Sequence, residues 1–187
     1  MITAFGASGW QWLNAPREWS AGDGLTLVCE PGTDLWNATH YGYTYDTAHL
    51  FGRTVPGDLR LTVTFAAAYA EQYDQAGAIL RIGGDDWIKA GVEYVDGAVH
   101  LSTVVTRTFS DWSVLPLGRA ADRVSIGLER EGDAVTVRYG LDGDPPETLL
   151  RLAYFPPGEP ALAGAMAAAP TGKGFAARIH EVAISQG

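Results

Sequence analysis

Trp87-Ile88-Lys89-Ala90-Gly91-Val92-Glu93-Tyr94-Val95 and Ala98-Val99-His100-Leu101-Ser102-Thr103-Val104-Val105 are two runs of strand-forming character separated only by Asp96-Gly97. Asp-Gly readily takes positive φ at both central turn positions. That matches the twist of the flanking strands, so the stretch predicts a β-hairpin. In the first run Ile88, Ala90 and Val92 share one parity, and Trp87, Lys89, Gly91 and Glu93 share the other. Successive strand side chains point to opposite faces. The first set is therefore expected in a core. The second forms a row of aromatic, cation, bare backbone and carboxylate, about 7 Å apart per step.

The same alternation spreads outward. Leu59-Arg60-Leu61-Thr62-Val63-Thr64-Phe65, Arg123-Val124-Ser125-Ile126-Gly127-Leu128-Glu129 and Ala134-Val135-Thr136-Val137-Arg138-Tyr139 each present one apolar face, and Leu25–Cys29 is a shorter example. Glu131-Gly132-Asp133 reads as a second tight hairpin, and Asp142-Gly143-Asp144-Pro145-Pro146 closes another strand. Strands at this spacing without helices between them predict an all-β, antiparallel two-sheet sandwich of roughly a dozen strands. One domain spanning residues 1–187 is expected. Ala66–Gln72 reads as a single helical turn or a strand end. Gly164–Ala169 reads as a close-packed strand. Phe175, Ala177 and Ile179 have one parity, Val182 and Ile184 the other, so a β-bulge is expected near His180-Glu181.

Hydrophobic residues make up 47% of the 187, enough for a packed core. Thirteen Lys and Arg face 22 Asp and Glu, a formal charge of −9. No basic footprint is present to displace counterions, so nucleic acid and anionic membranes are excluded as expected partners. Ala161–Pro170 is too short to cross a bilayer. Cys29 is the only cysteine, and Met1–Phe5 shows no leader pattern, so a reduced, cytoplasmic protein is expected.

Tyr73-Asp74-Gln75-Ala76-Gly77, the Trp87–Glu93 run, Ser102–Ser113 and Thr33-Asp34-Leu35-Trp36 occur in that company across nearly the whole chain, from Trp12 and Pro16 to the terminal strand. Together they resemble the regulation-of-enolase-like family of domains of unknown function (DUF1349) in the concanavalin A-like lectin/glucanase superfamily. Ala78 and Ala167–Ala169 depart from the pattern. The resemblance implies a concanavalin A-like jelly roll. It does not choose among the lectins, glycan-binding modules and glucanases that share that fold.

The candidate ligand-binding face follows from parity. Trp87, Lys89 and Glu93 lie on the non-core face of their strand, where Trp87 could stack on a sugar and Lys89 and Glu93 hydrogen-bond its hydroxyls. The alternative is a solvated face with a cross-strand ion pair. Gln75 and Arg81 share that face if Ala78, Leu80 and Ile82 are core. Asp74 either rims it or holds a strand-entry turn. Ser102 and Thr106 face the groove if Leu101 and Val105 are core; the reverse is also open. Asp111, in a Ser110–Ser113 loop, either binds ligand or caps its turn. Trp36 with Asp34, and Tyr41, Tyr43 and Tyr45, form a second cluster that binds ligand or seals the sandwich. With Trp87 on an open groove, Trp87→Ala should leave the fold intact.

A glucanase needs two carboxylates flanking the scissile bond. Glu93 is alone on its strand, with Asp74 and Asp111 as partners only through folding. The histidines lack zinc-site spacing, and no complete calcium loop occurs, so no cofactor is indicated; calcium is the one ion the acidic turns could take. The expectation is a non-catalytic module that binds a carbohydrate or small polar ligand on the concave sheet face. The alternatives are an intracellular protein-interaction domain with a protein partner, then a cryptic glycoside hydrolase.

Overall fold

The computed structural model describes residues 2–119 and 121–187. Its strands in chain order are β1 (Ile2–Ala4), β2 (Ala7–Leu13), β3 (Trp19–Ala21), β4 (Leu25–Cys29), β5 (Leu35–Asn37) and β6 (Thr44–Asp46). Then come β7 (His49–Val55), β8 (Leu59–Ala67), β9 (Gln75–Arg81), β10 (Asp86–Val95), β11 (Ala98–Arg107) and β12 (Phe109–Pro116). The last are β13 (Val124–Glu131), β14 (Ala134–Leu141), β15 (Thr148–Tyr154), β16 (Ala161–Ala168) and β17 (Phe175–Gln186). Among the described residues there is no helix.

One sheet runs β1-β2-β7-β16-β9-β10-β11-β12 and faces a second, β15-β14-β13-β8-β17-β4-β3; β5 and β6 form a separate two-stranded hairpin. Every strand pair is antiparallel. The result is an all-β jelly-roll sandwich. The apolar parity sets meet between the two large sheets: Ile88, Ala90 and Val92 pack there with Leu59, Leu61, Val63, Phe65, Ile126, Leu128, Val135 and Val137. Removing these faces from water is the main stabilising term of such a sandwich.

The Asp96-Gly97 turn has φ of 51° and 83°, the conformation its residues suit. The register of β17 slips between Ile179 and Glu181, so a one-residue bulge at His180 keeps Ile179 and Val182 both in the core. Of the two readings of Ala66–Gln72 the strand end holds, since Ala66 and Ala67 close β8. Two other local expectations change. Among the described residues the strands number seventeen rather than about a dozen. Ser110–Ser113 is not a loop but part of β12, which follows β11 through a tight turn at Thr108 with φ 65°.

A second, smaller apolar cluster lies on the outer face of the eight-stranded sheet. There the β5–β6 hairpin covers it: Leu35 and Trp36 press onto Leu50, Ile79, Trp87, Val104 and Met166. Two glycine pairs let neighbouring strands approach closely, Gly91 opposite Gly77 and Gly164 opposite Gly52. A Cβ on Gly91 would meet the Ala76 carbonyl oxygen at 2.1 Å and Gly77 Cα at 2.7 Å. Backbone cannot yield as a flexible side chain does. Gly91→Val is therefore expected to cost at least about 3 kcal/mol in urea unfolding, the upper end for overpacking. Gly83→Ala, with open space around it, should change little. Near-equal midpoints for the two variants would show that the sheet has room at Gly91.

Candidate functional site

Register assembles the site. Glu93 lies opposite Gln75 of β9 and His100 of β11, Lys89 opposite Ile79 and Val104, and Val104 opposite Trp112 of β12. Directly paired residues share a face. Lys89, Glu93, Gln75 and Trp112 thus project toward the outer side of the sheet, beside the hairpin. Between hairpin and sheet a cleft encloses about 350 Å³ outside the protein atoms, open mouth included.

Asp34, Gln75, Lys89 and Glu93 supply the polar lining, and Trp36, Tyr41, Tyr43, Tyr73 and Trp112 the aromatic one. Lys89 and Glu93 are both over nine-tenths buried. Lys89 Nζ donates to Leu35 O at 2.7 Å, lies 3.6 Å from Asp34 Oδ1 and sits 5.7 Å from the Trp87 ring centre. Glu93 Oε2 accepts from Ser102 Oγ at 2.7 Å and from Trp112 Nε1 at 2.9 Å. Its Oε1 has no hydrogen bond among the described residues, and neither has Gln75 Oε1. Burial pushes the Glu93 carboxyl up from its ordinary value, against the pull of Lys89, Ser102 and Trp112.

The aromatic wall is continuous. Trp36 meets Tyr41 edge-on at 5.7 Å, Tyr41 stacks on Tyr43 at 5.4 Å, and Tyr43 meets Tyr45 at 4.8 Å. Across the mouth the Tyr41 and Tyr73 hydroxyls lie 3.3 Å apart, and this bond, before burial, pushes Tyr41 up to about 12. Tyr73 touches Trp112 edge-on at 6.2 Å. Tyr73 holds φ of 68°, a conformation uncommon outside glycine, which turns the chain into β9.

The structure brings Lys89, Glu93, Gln75 and Trp36 together. It separates the rest. Trp87 has the expected parity, but the face above it is not an open groove: the hairpin covers it completely, and its Nε1 donates to Gly84 O at 3.1 Å. Arg81 shares the face but is turned to Asp46 in a two-pronged ion pair at 2.6 and 2.7 Å. Thr106 is buried against Ser110 Oγ at 2.8 Å, and Ser110 Oγ accepts the Asn37 N–H, so Thr106 helps seat the hairpin. Asp111 pairs with Val105, hence points to the opposite face, where Arg151 lies 3.2 Å away. Asp74 is fully buried and holds a turn, its Oδ2 accepting the N–H groups of Ala70 and Glu71.

Tyr73 and Trp112 were not singled out as candidates. Reading β12 through from the turn at Thr108 would have put Trp112 on the face of Lys89 and Asp111 on the other. For Tyr73 no sequence signal existed, because its place depends on an unusual φ. Among the described residues no group of three or more His, Cys, Asp or Glu side chains gathers to hold a metal ion, and no helix is long and apolar enough to cross a membrane.

A family model described as "Protein of unknown function (DUF1349)" matches residues 12–187. "Regulation of enolase protein 1" of Saccharomyces cerevisiae is 33% identical over 175 residues, covering 93% of this chain and 88% of the relative. A solved structure of a functionally unknown protein from Saccharomyces cerevisiae superposes with a TM-score of 0.92 at 31% identity, over 99% of each chain. A xylan β-1,4-xylosidase from Bacillus halodurans superposes with a TM-score of 0.69 at 10% identity, over 96% of this chain but 39% of the enzyme's. This last likeness shows the fold alone.

Two outcomes follow. Trp87→Ala should cost about 3–5 kcal/mol in chemical unfolding, as truncation of a fully buried aromatic does. A loss under 1 kcal/mol would mean that the hairpin does not pack on Trp87. The second outcome concerns pH. Folded Glu93 binds its proton more tightly than unfolded Glu93, so its contribution favours the fold at low pH. That contribution is lost as pH rises from the ordinary glutamate value through the raised one. The wild type should therefore lose stability relative to Glu93→Gln across that window. Parallel stability–pH curves would show that Glu93 titrates as it does in water.

Proposed function

Because the chain belongs to the DUF1349 family, proteins of unknown function, its activity has to be read from its own cleft: we propose that it is a binding module for a carbohydrate or similarly small polar ligand, held between the β5–β6 hairpin and the outer sheet face. One observation carries this reading. Glu93 Oε1 and Gln75 Oε1, acceptors on largely buried side chains with no hydrogen bond among the described residues, keep solvent access and lie beside exposed aromatic faces. They are acceptors that the cleft leaves open to an incoming donor. Hydroxyl groups of a ligand would satisfy both, and one N–H of Lys89 is left over from Leu35 and Asp34. Sugar rings carry apolar faces that suit aromatic walls.

The network suits binding: Asp34 is tied to Lys89 and to the Leu35 N–H at 2.7 Å, and Glu93 Oε2 is held by two donors, so both side chains present fixed polar atoms to a ligand. A reducing, cytoplasmic setting fits a chain whose one cysteine, Cys29, is buried and unpaired.

A second reading, a protein-interaction domain, has its own support. It draws on the name of the yeast relative and on the apolar rim where β12 meets β15: Phe109, Leu149, Leu152 and Tyr154 are each more than half exposed there. Those strands edge their sheets and carry the free backbone groups that invite pairing.

Saturation-transfer NMR with neutral mono- and oligosaccharides, with and without calcium, separates the two. Sugar binding predicts transfer to ring protons that Tyr43→Ala weakens several-fold, about 1 kcal/mol of aromatic contact. Silence across the panel from folded protein would sink the sugar reading and send the search to the β12–β15 rim.

A further inference from the structure

The cleft has a sign. Asp34, Lys89 and Glu93 line it, two carboxylates against one ammonium. Lys89 is already engaged by Leu35 O and Asp34. Glu93 keeps one oxygen unpaired, although the residue is only 6% exposed. The remaining lining points the same way. Trp36, Tyr41, Tyr43, Tyr73 and Trp112 turn aromatic rings to the cleft, and aromatic faces attract cations. The whole chain carries −9, which draws cations toward it and repels acidic ligands. Lys89 and Glu93 are buried at the base, while Tyr41 and Tyr43 at the mouth are each about two-fifths exposed.

Resting on the sugar-site reading above, we propose that the ligand is an amino sugar: a pyranose whose ring stacks on the tyrosine wall and whose ammonium group is held at the base by Glu93. The ammonium would supply the donor that Glu93 Oε1 lacks and offset the unbalanced carboxylate. A hydroxyl could make the same contact without the charge, and a charge-assisted hydrogen bond is roughly twice as strong. A uronate would bring a third carboxylate into the cleft, against Asp34 and Glu93.

The test is a titration of the full chain with D-glucosamine, D-glucose, N-acetyl-D-glucosamine and D-glucuronate at neutral pH, for wild type and Glu93→Gln. The glutamine keeps an oxygen to accept from Ser102 and Trp112. D-Glucosamine should bind the wild type about tenfold more tightly than the two neutral sugars, the gain of a charged over a neutral hydrogen bond. Glu93→Gln should bring the three level. Equal affinities in the wild type would overturn the amino-sugar assignment and leave a sugar site standing. A preference for D-glucuronate would overturn it and point to Lys89. A glucosamine preference that survives in Glu93→Gln would remove Glu93 from the role. If none of the four binds, the sugar site itself falls along with this inference.

Discussion

The ammonium of Lys89, buried under the β5–β6 hairpin, is the constraint that the outer face is built around. Taking a charge out of water costs several kcal/mol unless its donors are met. Here the charge is met from the hairpin side, by a hydrogen bond to Leu35 O and the Asp34 carboxylate, and one N–H is left toward the cleft. The hairpin has no ladder to either large sheet. It is fastened by this cation, by the Arg81–Asp46 pair at its far end and by Asn37, whose N–H reaches Ser110 and whose side chain reaches Gly84. Apolar burial of Leu35 and Trp36 supplies the attraction, and these polar contacts fix where the hairpin sits.

The cleft is what remains when a short hairpin covers part of a broad sheet. At the Trp87 row the cover is complete. At the Glu93 row it gives way, and polar side chains that would otherwise be solvated are left buried with one open side. Gly91 lies between the two rows, and its lack of a side chain lets β10 and β9 approach closely there. The unpaired oxygens of Glu93 and Gln75 result from this partial cover, and they distinguish the place from an ordinary solvated strand face.

Most of the sandwich was legible because strand alternation is a local property: Ile88, Ala90 and Val92 declare their face without knowledge of any neighbour. The bulge at His180 was legible for the same reason, since the change of parity between Ile179 and Val182 has only one economical solution. The parity of Trp87, Lys89 and Glu93 was equally readable. What covers them was not. The hairpin lies some fifty residues upstream and packs through side chains on a face that alternation marks only as "not core". A two-sided strand such as β11 blurs the signal further, because Ser102, Thr103, Val104 and Val105 are all buried.

The errors at single residues have two physical origins. Trp87 was placed in an open groove because parity says which side of a sheet a residue takes and nothing about a third layer. Asp111 lost its proper side through a missed turn at Thr108, which shifted a strand into a loop and hid Trp112 beside Glu93. Arg81 has the right side, yet Asp46 of the hairpin claims it. For Trp87 and Arg81 the deciding partner belongs to the hairpin, and for Asp111 the deciding element is β12 itself. A sandwich of this kind thus writes its core plainly into sequence and leaves its ligand face to long-range cover. The residues that define the cleft can be found only once the register of every strand around it is known.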